Sequence, residues 1–455
     1  MQGNTPPDEP RQLVRGLGLL QATALNVANM VGVGPFLTIP TFLAAMHGPH
    51  ALIAWIIAAV LVICDGLVWS ELGAALPGSG GTYHFLREIF GRYPWGRILP
   101  FLFIWQFLVT GTLELASGYI GVLEYIAYIF PTIKPEEGDG KFLIAGLALV
   151  ITLALCRRVT VVGWVSVALC SISLTTVLVV IACGLANFQS SLFTFTDYAL
   201  KPADFPFGGL GAAMLIAIYD YLGYYNVCHL GDEVKEPART IPRAVIISVL
   251  LVAMLYLTMN IAVIGVVPWH DAMQSRDIGA AFMERLYGRD VAVGFSWMII
   301  VTALACVFVM TLGYSRIPYA AAKGGDFFAV FGWIHPRGRY PLVSLLAVGG
   351  LTAVFCFLPF TKVVNAAVTI RIVVQFIGQI VALHVLRTTR PDKPLPFRMY
   401  LYPLPSLLAL AGWVFVFVSS TAEVLEWTAY VLGSGAYVYL LWRAFTPPAP
   451  SSHPH

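Results

Sequence analysis

Charge is what this 455-residue chain has least of: Asp, Glu, Lys and Arg together make up 11% of it, against roughly 25% in soluble proteins. A soluble chain of this size could not cover its surface with polar groups at that level, so a set of water-soluble domains is excluded. Disorder is excluded too, because 58% of the residues are apolar and disordered chains are not. The charges nearly balance, 27 Lys and Arg against 24 Asp and Glu, which leaves no nucleic-acid partner to expect. Cysteine is scarce and odd in number: Cys64, Cys156, Cys170, Cys183, Cys228, Cys306 and Cys356. With no C-x-x-C pair among them, they read as small buried hydrophobes rather than as disulfides or zinc ligands. The histidines contain no H-E-x-x-H pair, and Gly78-Ser-Gly-Gly81 is not followed by G-K-[ST]. Metalloprotease and nucleotide-loop chemistry therefore have no support, and no metal or cofactor is implied. The polar start, MQGNTPPDEPRQLVRG, lacks the apolar core and cleavage site of a signal peptide. Residues 1–14 read as a cytoplasmic tail and 447–455 as a disordered end.

What the chain does have is long apolar runs. A membrane-spanning helix needs about 20 mostly apolar residues. Twelve such segments can be placed: 17–46, 49–76, 97–130, 141–156, 160–187, 207–231, 242–268, 291–322, 341–359, 361–387, 403–421 and 424–445. The expected fold is an all-α polytopic membrane protein with the lipid bilayer as its solvent. With the N-terminus inside, the cytoplasmic connections hold 19 of the 27 basic residues and the outer ones hold seven. Arg371 alone falls inside a span. That asymmetry predicts both termini in the cytoplasm.

Two spans are interrupted by their own composition. The first contains Val31-Gly-Val-Gly-Pro-Phe36, where Pro35 has no N–H to give and Gly32 and Gly34 loosen the backbone. The sixth carries Tyr219-Asp-Tyr-Leu-Gly-Tyr-Tyr-Asn226, with Asp220 and Gly223 at membrane depth. Irregular backbone at that depth is tolerated only inside protein or beside a wet cavity. If segments 1–5 and 6–10 are inverted repeats, the two breaks correspond, and such a pair points to a midplane site in a secondary transporter. The plainer alternative is a pair of packing kinks.

Four stretches carry a resemblance, extending over nearly the whole chain, to the amino acid–polyamine–organocation (APC) superfamily of permeases. They are Gly32-Val-Gly-Pro-Phe36, Glu71-Leu-Gly-Ala-Ala-Leu-Pro-Gly-Ser-Gly-Gly-Thr-Tyr-His-Phe85, Asp232-Glu-Val-Lys-Glu-Pro-Ala-Arg-Thr-Ile-Pro-Arg-Ala244 and Ser315-Arg-Ile-Pro-Tyr-Ala-Ala-Ala-Lys-Gly-Gly325. The second is the most specific, and residues 387–398 resemble the family's loop before its eleventh helix. The resemblance implies a LeuT-type fold: a five-plus-five inverted repeat over residues 15–400, broken in helices 1 and 6, with a peripheral helix pair over 401–446. It further implies a substrate carboxylate on the N–H groups of Val33, Gly34 and Phe36. The substrate ammonium would meet carbonyls of Asn29, Met30, Tyr219 and Leu222, with the Tyr219 ring as a gate. Free helix ends supply such donors and acceptors on physical grounds alone. Pro35 departs from most amino-acid carriers and is similar to the family's polyamine-uptake branch.

The intramembrane carboxylates are the remaining chemistry. Asp220 can attract an amine, carry a proton or pair with Arg371. Glu114 in the third segment is a second candidate proton carrier, with no partner identifiable from sequence, and Glu71 is expected at the cytoplasmic surface. The fifth segment has no lysine, the residue that proton-driven relatives often carry there. Its Ser171, Ser173, Thr175 and Thr176 can ligate a cation or satisfy helix backbone. Proton symport, exchange and sodium coupling all stay open. The expected function is a plasma-membrane (bacterial inner-membrane) amino-acid permease acting on a small-molecule substrate. Uptake of polyamines or another organic amine is the alternative. A lipid-acting enzyme would need a catalytic cluster at an interface, and a channel would need a ring of repeated charges.

Overall fold

The computed structural model describes residues 16–78, 80–93, 95–156, 162–193, 207–336 and 340–445, with the side chains of 162–170 and of 207 left aside. The two expected tails therefore lie outside the described residues, as do Arg11, Arg15, Arg157, Arg158, Lys201, Arg337 and Arg339 of the basic-residue asymmetry, and Ser79 of the loop motif. Among the described residues there is no strand, only a single bridge between Leu17 and Val234.

The helices are α1 (Leu19–Met30), α2 (Pro35–Met46), α3 (Leu52–Ala75), α4 (Thr82–Phe90), α5 (Ile98–Ile129), α6 (Gly138–Ala154), α7 (Val162–Ala186), α8 (Phe207–Tyr221) and α9 (Asn226–His229). They continue as α10 (Pro237–Ile264), α11 (Trp269–Gln274), α12 (Ile278–Tyr287), α13 (Arg289–Lys323), α14 (Leu342–Phe355), α15 (Phe360–Arg371), α16 (Gly378–Thr389), α17 (Leu404–Val418) and α18 (Ala422–Phe445). Helix thus occupies part of every apolar segment. Among the described residues, five helices can cross a membrane by length and apolarity alone, or up to seven if each bent pair counts as one span. Ile56, Val60, Leu149, Leu153, Met254, Val354 and Val414 turn apolar surface outward, as lipid-facing helices do.

The first break stands where the sequence places it. α1 ends at Met30, α2 starts at Pro35, and the two halves bend by 54°. Proline suits a first helical turn because its missing N–H has no acceptor there anyway. The second break follows Tyr221. Gly223 takes φ +112°, and a Cβ there would stand 2.8 Å from Cβ of Asn29, so both backbone shape and close packing require glycine.

α2 packs on α8, α3 on α10 and α5 on α13. Ahead of α1, Gly16 and Leu17 donate N–H groups to the Glu233 carbonyl, and Lys235 donates to Leu17. Glu71 is not at the surface as expected. It is fully buried, takes a two-pronged bond from Arg387 at 2.7 Å and accepts the Met399 N–H at 2.8 Å. Burial there follows from the first loop folding back under α16, where a lone carboxylate needs a fork-shaped partner.

Candidate functional site

The two breaks face each other because Asn26 of α1 stitches them together. Its Nδ2 donates to the Tyr224 carbonyl at 2.6 Å, and its Oδ1 accepts the Val227 N–H at 2.9 Å. Interrupting a helix frees backbone groups, and their allocation decides what the site can hold. The N–H groups of Val33 and Gly34 have no partner among the described residues. The Phe36 N–H, expected to be a third donor, instead bonds the Val33 carbonyl at 3.1 Å, because the entry to α2 tightens into a three-residue turn. Of the candidate acceptors, the Met30 carbonyl takes the Tyr256 hydroxyl at 2.6 Å and the Tyr219 carbonyl takes the Leu222 N–H at 3.1 Å. The carbonyls of Asn29 and Leu222 have no donor among the described residues.

Between the breaks lies a cavity of about 50 Å³ for the centre of a water-sized sphere, where one water needs about 10–15 Å³. Asn29, Met30, Gly32, Val33, Gly34, Glu114, Tyr219, Asp220 and Leu222 line it. Phe36 stands behind and packs edge-on against Phe295. Pro35 and Gly223 shape the backbone, Arg371 sits one layer back, and Ser171 and Ser173 of α7 are not in the lining. In α7 the Thr175 and Thr176 hydroxyls bond the carbonyls of Ser171 and Ile172, the backbone-satisfying arrangement. Among the described residues no group of three or more His, Cys, Asp or Glu is gathered for a metal ion.

Sequence reasoning missed Ser117 and Gly118 of α5 and Ala303, Cys306, Val307 and Met310 of α13, which complete the lining. Their signal was the seven-residue spacing of Gly111 and Gly118. A Cβ at Gly118 would stand 2.4 Å from the Val307 side chain, and one at Gly111 3.2 Å from Tyr314. Small residues at that spacing let α13 press against α5.

Two carboxylates of the lining have different fates. Asp220 is buried; one oxygen takes the Thr38 hydroxyl at 2.5 Å and the other, Oδ1, has no partner. Tyr219 beside it is hydrogen-bonded to Ser117. The suggested Asp220–Arg371 pair does not form. Arg371 bonds Glu114 at 2.5 Å and the Tyr225 hydroxyl at 3.2 Å, while Tyr314 donates to the same Glu114 oxygen at 2.9 Å. Glu114, which had no visible partner in sequence, is thus a paired charge, because α15 turns Arg371 toward α5. Asp65 of α3 is likewise satisfied, by the Tyr224 hydroxyl and the Trp413 indole. The cavity therefore offers Asp220 Oδ1 and the backbone N–H groups of Val33 and Gly34, none of them with a partner among the described residues.

Gly34 sits where these meet: a Cβ there would lie 2.4 Å from Asp220 Oδ1. Gly34→Ala is expected to weaken ligand binding by about tenfold or more, the effect of overpacking by 1–3 kcal/mol. Ligand-dependent thermal shifts measure it, and an unchanged affinity would contradict this geometry.

The family model described as amino acid permease matches residues 17–440. The chain is 26% identical over 431 residues to the serine/threonine exchanger SteT of Bacillus subtilis, covering 90% of this chain and 92% of that one. It is 25% identical over 396 residues to the vacuolar cationic amino acid transporter 4 of Arabidopsis thaliana, with 85% of this chain covered. To the mouse cationic amino acid transporter 4 it is 28% identical over 364 residues, with 76% of this chain covered. The match spans 65% of the plant relative's length and 55% of the mouse relative's.

Proposed function

The chain belongs to the amino acid permease family, and from that footing we propose that it is a secondary transporter carrying amino acids across the plasma membrane by alternating access. The observation that carries the reading is the pairing of an unpartnered Asp220 Oδ1 with the unpartnered N–H groups of Val33 and Gly34 around one cavity. A substrate with an ammonium and a carboxylate answers both ends, with the Asn29 and Leu222 carbonyls as further ammonium acceptors. The Tyr219 ring covers the pair. The cationic amino acid transporters among its relatives favour L-lysine or L-arginine as substrate.

Residues 15–400 form the five-plus-five core in this reading, supported by the counterpart packing of α2 on α8, α3 on α10 and α5 on α13. α17 and α18 form the peripheral pair, and both termini lie in the cytoplasm, by the basic-residue asymmetry. A second reading, uptake of polyamines or another organic amine, is favoured by a specific count. Pro35 has no N–H and the Phe36 N–H is engaged, which leaves two donors for a carboxylate.

Thermal unfolding of the detergent-purified protein against L-lysine, L-arginine, L-serine, L-threonine, putrescine and spermidine separates the readings. A ligand at 100 times its Kd stabilises by about 2.7 kcal/mol. Stabilisation by amino acids is expected; stabilisation by the two polyamines alone establishes the second reading, and none at all rejects both.

A further inference from the structure

We propose that a groove between α2, α8 and α15, on the far side of Asp220 from the central cavity, is a water-filled proton route from the outer face to that carboxylate. The proposal rests on Asp220 belonging to the transport site. The groove measures about 320 Å³, space for roughly ten waters at about 30 Å³ each. Its polar groups descend from mouth to floor: Thr361 is exposed, Asn365 and Thr41 are half-buried, and Thr38 is 1% exposed.

Several threonines of other helices turn their hydroxyls back onto their own backbone, as Thr112 of α5, Thr152 of α6, Thr311 of α13 and Thr352 of α14 do. Thr41, Thr361 and Asn365 have no protein partner among the described residues. Polar groups in a membrane helix must be satisfied, and a groove of this size and lining satisfies them with water. Thr38 closes its floor, and its hydroxyl donates to Asp220 Oδ2, while Oδ1 faces Gly34 and the central cavity. One carboxylate thus touches both compartments, one oxygen to each.

The other titratable groups near it do not compete. Tyr219 and Tyr221 of α8, Tyr256 of α10 and Cys306 of α13 make their hydrogen bonds, where they have them, to other groups. Glu114 of α5 and Arg371 of α15 hold each other, Asp65 of α3 is satisfied by Tyr224 and Trp413, and Lys362 at the outer end of α15 pairs with Glu423. Neither α2 nor α17 carries a titratable residue. A hydronium in the groove passes its proton to the Thr38 oxygen as the hydroxyl's own proton moves to Asp220 Oδ2. Water, an intact threonine and a neutral carboxylic acid result.

Because a proton and an ammonium compete for Asp220, the coupling is exchange, and proteoliposomes loaded with a pH dye and L-lysine and given outside acid test this. Thr41→Leu with Asn365→Leu should cut lysine-coupled internal acidification by about tenfold or more, while lysine–lysine exchange at equal pH stays within about twofold. Thr38→Val should lose the acidification and Thr38→Ser should restore it. Thr41→Cys should react with a membrane-impermeant cationic thiosulfonate added from outside. Wild-type acidification in the double variant overturns the route, as does an unreactive Thr41→Cys. Lysine exchange without acidification in the wild type also overturns it and leaves the transport reading intact; no lysine movement of either kind overturns both.

Discussion

Asp220→Asn is expected to reduce uptake of L-lysine by about 100-fold or more, because removing one member of a desolvated charge contact costs roughly 2–5 kcal/mol. The substitution keeps the side chain's size and leaves an oxygen to accept from Thr38, so the fold is retained. The charge on the oxygen that no other group among the described residues answers is what disappears. The measurement is initial-rate uptake beside a melting curve of the purified variant. A normal melt with lost uptake is the expected result. Normal uptake and affinity would make Asp220 a structural residue and remove the support for an ammonium at this position.

The Glu114–Arg371 pair is expected to show its worth through its failure. Glu114 is 7% exposed and Arg371 1%, so removing either partner strands a charge in the core. Glu114→Gln and Arg371→Met should each destabilise by about 3–5 kcal/mol. Glu114→Leu combined with Arg371→Met should recover most of that loss, since neither charge then needs a partner. Melting temperatures in detergent, in the order double variant above both single ones, test the pairing. Single variants that melt with the wild type would mean the pair does not hold α5 to α15.

The breaks were legible in the sequence because their causes are local. Pro35 has no donor, and Gly223 can take the positive φ found there without steric cost. The partner of each carboxylate was not, because pairing depends on how one helix is turned about its axis against another. Arg371 stands 257 positions from Glu114, and the only intramembrane cation looked equally suited to Asp220. Thr38 was overlooked for the same reason: nothing in the α2 sequence shows that it meets α8. The Phe36 donor failed differently. Its residue type was read correctly, but whether an N–H at a helix entrance is free depends on a single tightened turn. Glu71 looked like a surface charge because Arg387, the group that allows its burial, lies 316 positions away.

The bridge between Leu17 and Val234 has a mechanical meaning for both interrupted helices. Three main-chain hydrogen bonds join the entry of α1 to the turn just past α9, so these ends of the two broken spans are yoked and a tilt of one drags the other along. Since the yoke consists of amide and carbonyl groups, exchanging side chains leaves it intact. Only a residue without an N–H can unhitch a strand of it, which makes proline at 235 the change that would let the two halves swing apart.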